Sequence, residues 1–309
     1  MKHLSTHQKA VGALIIANII WGGASPIFKY SLQSIPPFTL AFFRFGIATV
    51  LLFPFVHKEL HTFTNEVENW KEIVLFALFG VTINITFFFL GLTLTQSINA
   101  PIIASSGPII TIAFSALFLK ERPTIKKILG TLIAFLGVLL IIIQPLLEKG
   151  LDASILGNIF LFLATLAAVG NILVGKKIMK RYSPLPLTFW AFLIGTITFV
   201  PFVIPELIHF PILDSRAFVG VAYGALLSSA VAYSLFAWGL SKIEASEVGL
   251  FTYIDPVFAI ILAYPLLGEK PTPFYLLGAI LVFAGIFVAE KRIHYHPINK
   301  LIKNSSFKF

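Results

Sequence analysis

Cysteine is missing from all 309 residues. Disulfides, iron–sulfur clusters and thiolate zinc sites are thereby excluded, and nothing follows about redox compartment. Charge is scarce: Asp, Glu, Lys and Arg make up 12% of the chain, against roughly 25% in a soluble domain. The seven histidines (His3, His7, His57, His61, His209, His294 and His296) all lie outside the long apolar runs. No haem or metal site built on histidine is therefore available among those runs, and neither a metal nor a cofactor is expected. The strict apolar–polar alternation of a membrane β-barrel is also absent.

What is present in quantity is apolar surface. Hydrophobic residues are 57% of the chain and the mean hydropathy is +0.91. Apolar runs of about 20 residues match a bilayer core of about 30 Å, and they recur along the whole sequence. Ten are read, over 11–30, 37–56, 73–93, 99–119, 125–143, 156–174, 185–204, 218–240, 246–267 and 274–289. The expected fold is an all-α polytopic membrane protein. Loops are short, and the longest, 57–72, is polar. The opening "MKHLSTHQKAVGALIIANIIWGGAS" has some signal-peptide character, but its apolar run has a partner in the second half. The net charge of +9 does not call for nucleic acid. With the N-terminus in the cytoplasm, 18 of the 23 Lys and Arg fall inside, four fall outside and Arg44 falls within a run. That bias places both termini in the cytoplasm of an inner (plasma) membrane protein. The tail, "EKRIHYHPINKLIKNSSFKF", is basic with interleaved aromatics and suits anionic lipid.

The chain repeats itself. "FLKERPTIKKILGTLIAFLGVLLI" matches "LLGEKPTPFYLLGAILVFAGIFVA" at an offset of 148, pairing Glu121 with Glu269, Pro123 with Pro271, Gly130 with Gly278 and Gly137 with Gly285. The same offset pairs Gly22 with Gly170 and Pro108 with Pro256. Each half holds five runs, an odd number, so the second half should enter the membrane inverted. Inverted repeats are an architecture of secondary transporters that alternate around a midplane site. These features, with "WGGASPIFKYSLQSIPPFTLAFFR" at the start, resemble the EamA-type transporters of the drug/metabolite transporter superfamily. The resemblance spans about 10–290. It implies repeats over 10–145 and 154–290, followed by a tail over 291–309. It also implies a central cavity and an exporter or exchanger of small metabolites. The glycines seven apart are read as close helix packing, within the chain or in a homodimer.

Two charges sit deep in the runs. Arg44 lies seven residues past Pro37 in "FTLAFFRFGIATVLLF". A charge at that depth costs about 2.5–3.5 kcal/mol on insertion scales. It could anchor a carboxylate or phosphate, or be held by an acid or by backbone carbonyls. Asp255 is the only mid-run acid. The repeat partner of Arg44 is Phe192 and that of Asp255 is Gly107, so both charges break the symmetry. Either they pair with each other, or they grip opposite ends of a zwitterion; an unpaired Asp255 could carry a proton. Pro108 and Pro256 interrupt equivalent helices, a pointer to a binding site, and Ser106 lies beside the first. Asn18, Gly22, Ser25 and Lys29 form one polar stripe on the first helix, with Trp21 beside it; Lys29 alone reads as an interfacial snorkeler. Asn84, Phe88, Tyr233, Trp238 and Tyr253 add polar and aromatic candidates suited to a planar or amphipathic solute.

Other classes fit less well. An enzyme needs a nucleophile with a base, paired carboxylates or metal ligands at one depth; the runs hold no His or Cys, and Asp255 is the only acid near mid-membrane. A channel needs a filter or a ring of like charge. A lipid flippase, or a carrier of lipid-linked or drug-like molecules, remains an alternative. The leading expectation is a small-molecule transporter working in the lipid bilayer, with an amino acid or related amphipathic solute as cargo.

Overall fold

A computed structural model describes residues 5–118, 125–208, 214–243 and 248–290, and every element among them is helical. In chain order these are α1 (Thr6–Ser31), α2 (Pro37–Glu66), α3 (Trp70–Ala77), a π-helical segment π1 (Leu78–Ile83), α4 (Asn84–Leu94), α5 (Asn99–Ala104) and α6 (Gly107–Phe118). The second half adds α7 (Ile125–Lys149), α8 (Ala153–Ile178), α9 (Pro184–Ile208), α10 (Ser215–Ala222), π2 (Tyr223–Val231) and α11 (Ala232–Lys242). A 3₁₀ turn (Gly249–Ile254), α12 (Asp255–Leu267) and α13 (Pro273–Glu290) complete it. Among the described residues seven helical stretches are long and apolar enough to cross a membrane, and two shorter apolar helices accompany them. The tail over 291–309 lies outside the described residues, as do Glu121, Pro123 and Thr124.

Local chemistry sets the ends. Ser5 and Gln8 form a reciprocal capping box at the start of α1, satisfying two amides that a helix leaves orphaned. Pro37 occupies the first position of α2, where the missing N–H is no loss. The amides of Phe38 and Thr39 are met from a distance, donating to the Glu206 carboxylate at 3.2 and 2.6 Å. Gly268, at φ 67°, closes α12 in the left-handed conformation that glycine adopts freely.

One expectation requires correction, and one apolar run divides. The 57–72 stretch is not a loop over most of its length, because α2 continues to Glu66. Phe63 is buried there with its ring 5.5 Å from that of Tyr182, and His61 and Asn65 bond one turn apart at 2.8 Å; a tertiary contact carries the helix past the apolar run. The fourth run is not one rod. It divides into α5 and α6 around Ser105 and Ser106, the place where Pro108 cannot donate to a carbonyl one turn earlier.

The repeat glycines pack the end of one half on the end of the other. α7 and α13 lie side by side. A methyl group at Gly137 would stand 2.6 Å from the Gly278 carbonyl oxygen, and one at Gly285 would stand 2.5 Å from that of Gly130. Nothing larger than hydrogen fits. With no hydrophobic drive between helices in lipid, such close backbone approach supplies the dispersion that holds them.

Candidate functional site

The third long helix of each half loosens at mid-length into π1 and π2. A π segment skips ordinary i→i−4 bonds and leaves carbonyls for other partners. Those partners come across the molecule. The Tyr233 hydroxyl donates to the Gly80 carbonyl in π1 at 3.3 Å, and the Asn171 amide to that of Phe76 at 2.8 Å. The Trp21 indole N–H donates to the Ser228 carbonyl in π2 at 3.0 Å. Asn84 reaches the Ala164 carbonyl at 2.8 Å. These side chains enclose a cavity of about 810 Å³, within the usual range for small-molecule sites. Trp21, Ser25, Arg44, Asn84, Phe88, Pro108, Tyr233 and Asp255 all line it, as expected for residues on the facing sides of these helices.

Arg44 is buried, and it does not pair with Asp255. Its Nε donates to Ser229 Oγ at 2.7 Å and its Nη2 to Ser228 Oγ at 3.0 Å. The guanidinium also lies 4.8 Å from the Phe28 ring centre and 4.7 Å from that of Phe45, so both cation–π contacts and hydroxyls compensate its burial. Gly224 in π2 makes the room, since a methyl group there would stand 3.1 Å from Arg44 Cγ. Asp255 has no such company. Its Oδ1 is buried without a hydrogen bond among the described residues. Gly22 backs directly on it, with a methyl there placed 2.8 Å from the Asp255 carbonyl oxygen.

Five expected residues stand off the cavity wall. Asn18 is fully buried and its amide N–H turns back to the Leu14 carbonyl at 2.7 Å. Ser106 donates to the Ile103 carbonyl at 2.6 Å. Trp238 packs on a side cluster around Leu14, Leu240 and Val248. Tyr253 meets Phe283, with ring centres 6.0 Å apart. Pro256 is buried behind Asp255 at the head of α12.

The cavity has two unlike ends. Let the near face be the one where α1 begins and the far face the one where it ends. Toward the near face the cavity reaches Met179, Leu240 and Val248. Toward the far face it stops at Ala100 and Pro101, beneath a clasp. There Glu269 accepts from the Ser97 amide at 2.9 Å, the Ser97 hydroxyl at 2.7 Å and the Ile98 amide at 3.2 Å. Tyr275 donates to the Ile98 carbonyl at 3.2 Å. Beside the clasp, Asn158 Oδ1 accepts from Thr95 and Asn99, at 2.8 and 2.9 Å. The sequence marked Glu269 only as half of a repeated pair; its partners are backbone amides 172 and 171 residues away, invisible in any pattern.

Lys29 is not a snorkeler. Its ammonium donates to the Leu92 carbonyl at 2.8 Å and to that of Thr95, the last carbonyls of α4. In the other half Lys176 does the same for α11, donating to Leu240 at 2.9 Å and Ile243 at 3.0 Å. A cation at a helix C-terminus is favoured by the aligned peptide dipoles. The two lysines are 147 apart, one fewer than the offset of the later helices. By that register the partner of Arg44 is Ala191 instead of Phe192, still without charge.

The comparisons with known proteins agree with this layout. The EamA-like transporter family matches residues 8–143 and again residues 155–290. The chain belongs to that family. An uncharacterized transporter of Archaeoglobus fulgidus is 28% identical over 282 residues, covering 91% of this chain and 97% of that protein. A probable terminal-alkyne amino-acid exporter of Streptantibioticus cattleyicolor is 24% identical, covering 92% and 94%. One crystal structure of a protein aligns with a TM-score of 0.64 at 16% identity, covering 91% of this chain and 96% of that one, a likeness of fold alone. The protein is thus an integral, multi-pass membrane protein of a transporter family, and the two relatives named above carry transporter and exporter names.

Proposed function

We propose that this protein exports or exchanges a small amphipathic metabolite, of the amino-acid class, across the inner (plasma) membrane by alternating access. The observation that carries the reading is a cavity lined at once by the buried Arg44 and by Asp255, whose Oδ1 is buried, with the Glu269 clasp beyond its far-side wall. Arg44 stacks on Phe28 and Asp255 backs on Gly22, so about six residues of α1, or roughly 9 Å, separate their levels. Two hydrogen bonds of about 2.8 Å with a short zwitterion between them fit that span. Aromatic walls suit an apolar side chain, and the amino-acid exporter among the relatives has the same extent.

The remaining architecture belongs to the same reading. Ten membrane-crossing stretches form two inverted halves over 10–145 and 154–290, and the charge bias puts the near face, with both termini, in the cytoplasm. In that orientation the Glu269 clasp lies on the outer side of the cavity. Each half contributes one lysine-capped helix end and one π segment to the frame, while the solute-facing charges come singly. Counterflow into proteoliposomes with radiolabelled amino acids tests it. Saturable exchange of a water-soluble amphipathic solute is expected. Movement of labelled lipid without any soluble solute would replace the reading with a flippase.

A further inference from the structure

Most donors on the cavity wall are spent on the protein itself, while several polar atoms of the wall are left without one. The amides of Asn84 and Asn171, the Tyr233 hydroxyl and the Trp21 indole already donate to backbone carbonyls. Arg44 gives two of its three nitrogens to serine hydroxyls and lies over two rings. Against these engaged donors stand a carboxylate oxygen and a hydroxyl, each able to accept and neither with a partner. Asp255 Oδ1 and Ser25 Oγ are buried without a hydrogen bond, and Ser25, 3% exposed, lines the cavity as Asp255 does. Gly22, one turn before Ser25 on α1, packs directly on Asp255. Its carbonyl has lost its ordinary helix donor because residue 26 is proline.

An acceptor-rich spot with a carboxylate calls for a ligand that brings several donors and a positive charge. A primary ammonium brings three N–H groups and no acceptor. Trp21 and the rings of Tyr233 and Phe236 packed on it, with centres 5.2 and 4.9 Å away, line the same cavity; such faces favour an organic ammonium. We infer that Asp255, with Ser25 beside it, receives the ammonium group of the solute, and that this group governs binding while a carboxylate is dispensable. The inference rests on the transporter reading of the same cavity. The asymmetry between the two charges has a physical source. A carboxylate oxygen buried without a partner bears its full desolvation penalty until a donor arrives. Arg44 is already relieved by two hydroxyls and two rings, so a solute carboxylate gains only its remaining edge.

The test uses purified full-length protein, isothermal titration calorimetry and three probes of like size: 2-phenylethylamine, 3-phenylpropanoate and L-phenylalanine. The amine and the amino acid should bind with similar affinity, and the carboxylate about ten- to a hundredfold more weakly, the worth of one charged hydrogen bond. Asp255→Asn should weaken the amine by the same factor and leave the carboxylate unchanged. The probe series in the wild type stands even where that variant does not fold. Equal binding of carboxylate and amine overturns the inference, as does amine binding that Asp255→Asn leaves intact in monodisperse protein. Sodium chloride that displaces the amine at constant ionic strength, where choline chloride does not, makes the spot an inorganic cation site and also overturns it. Proteoliposome counterflow separates the two levels. Exchange of carboxylates in preference to amines removes the ammonium inference and keeps the transporter, whereas no exchange of any soluble solute removes both.

Discussion

The two faces of the bundle are held in different ways. At the far face a nearly buried carboxylate, Glu269, accepts from two backbone amides and a hydroxyl of the other half. At the near face the halves meet through ion pairs in water. Glu72 accepts from Lys177 at 2.7 Å and Arg181 at 2.5 Å, and Arg181 lies 3.6 Å from Glu68. The near-face side chains include a Lys177 that is 69% exposed and a Glu68 that is 81% exposed. Hydrogen bonds to a buried charge contribute about 1.5–3 kcal/mol each, while exposed pairs contribute about 0–1 kcal/mol. The far face is therefore the one whose opening is costly, and a protein that alternates must release Glu269 to open it.

The largest expected effect follows from removing that carboxylate. Glu269→Ala deletes three hydrogen bonds, and a loss of about 4–5 kcal/mol, the low end of that range, would shift a two-state equilibrium more than about a thousandfold. The chain has no cysteine, so a single Ala104→Cys on the cavity wall is a clean reporter. Its labelling by a membrane-impermeant maleimide from the far side should rise at least about tenfold in the Glu269→Ala background. Unchanged labelling would show that the clasp is an ornament on a face closed by packing alone.

Next in size are the two lysines, which ask whether the halves share a frame. Lys29→Met and Lys176→Met each remove two charged hydrogen bonds from the end of a helix. Each should lower stability by roughly 3 kcal/mol, the low end for two such bonds, several degrees in the melting temperature of a chain this size. Similar losses would sharpen the picture of a symmetric scaffold around asymmetric charges. A loss confined to Lys29 would tie the lysine to the far-face clasp instead.

Much of this scaffold could be read from the sequence and part of it could not, for definable reasons. Hydropathy located the helices because lipid imposes a simple rule on composition. Pro108 announced the break between α5 and α6 because proline lacks an N–H. Arg44, Asp255, Trp21 and Tyr233 were legible as polar or aromatic residues in greasy runs, and all four reach one cavity. What sequence could not give is who holds whom. Arg44 turns to Ser228 and Ser229 and not to Asp255, because π2 re-aims two successive hydroxyls toward it, and no residue pattern signals a π segment. Lys29 looked like an interfacial residue because its acceptors are backbone carbonyls, which every residue possesses. The continuation of α2 to Glu66 depends on Phe63 finding Tyr182, a contact made 119 residues along the chain.

A smaller effect is expected at the near face. Glu72→Gln removes the carboxylate that Lys177 and Arg181 share, and the loss should be under about 1 kcal/mol and should vanish in molar salt. A melting-temperature change as large as that of Lys29→Met would erase the contrast between the faces.

The smallest effect lies back at the far face, where one acid is as exposed as those of the near face. Asp214 caps α10, accepting from the amides of Arg216 and Ala217 at 2.9 and 3.3 Å and from Arg216 Nε at 2.7 Å. The Ser34 hydroxyl, then these donors, hold its carboxyl down at about 2 from an ordinary 3.8. A depressed carboxylate stabilises the fold above its unfolded value and loses that contribution as pH falls toward the folded one. The window here is therefore from about pH 4 down to about pH 2. Asp214→Asn keeps a capping oxygen but has nothing to titrate. Wild type and variant melts should differ slightly at pH 5 and converge as the pH drops through that window. A gap that stays constant with pH would mean the cap acts through geometry alone, and exposure, rather than which face a charge occupies, would then set what each carboxylate contributes.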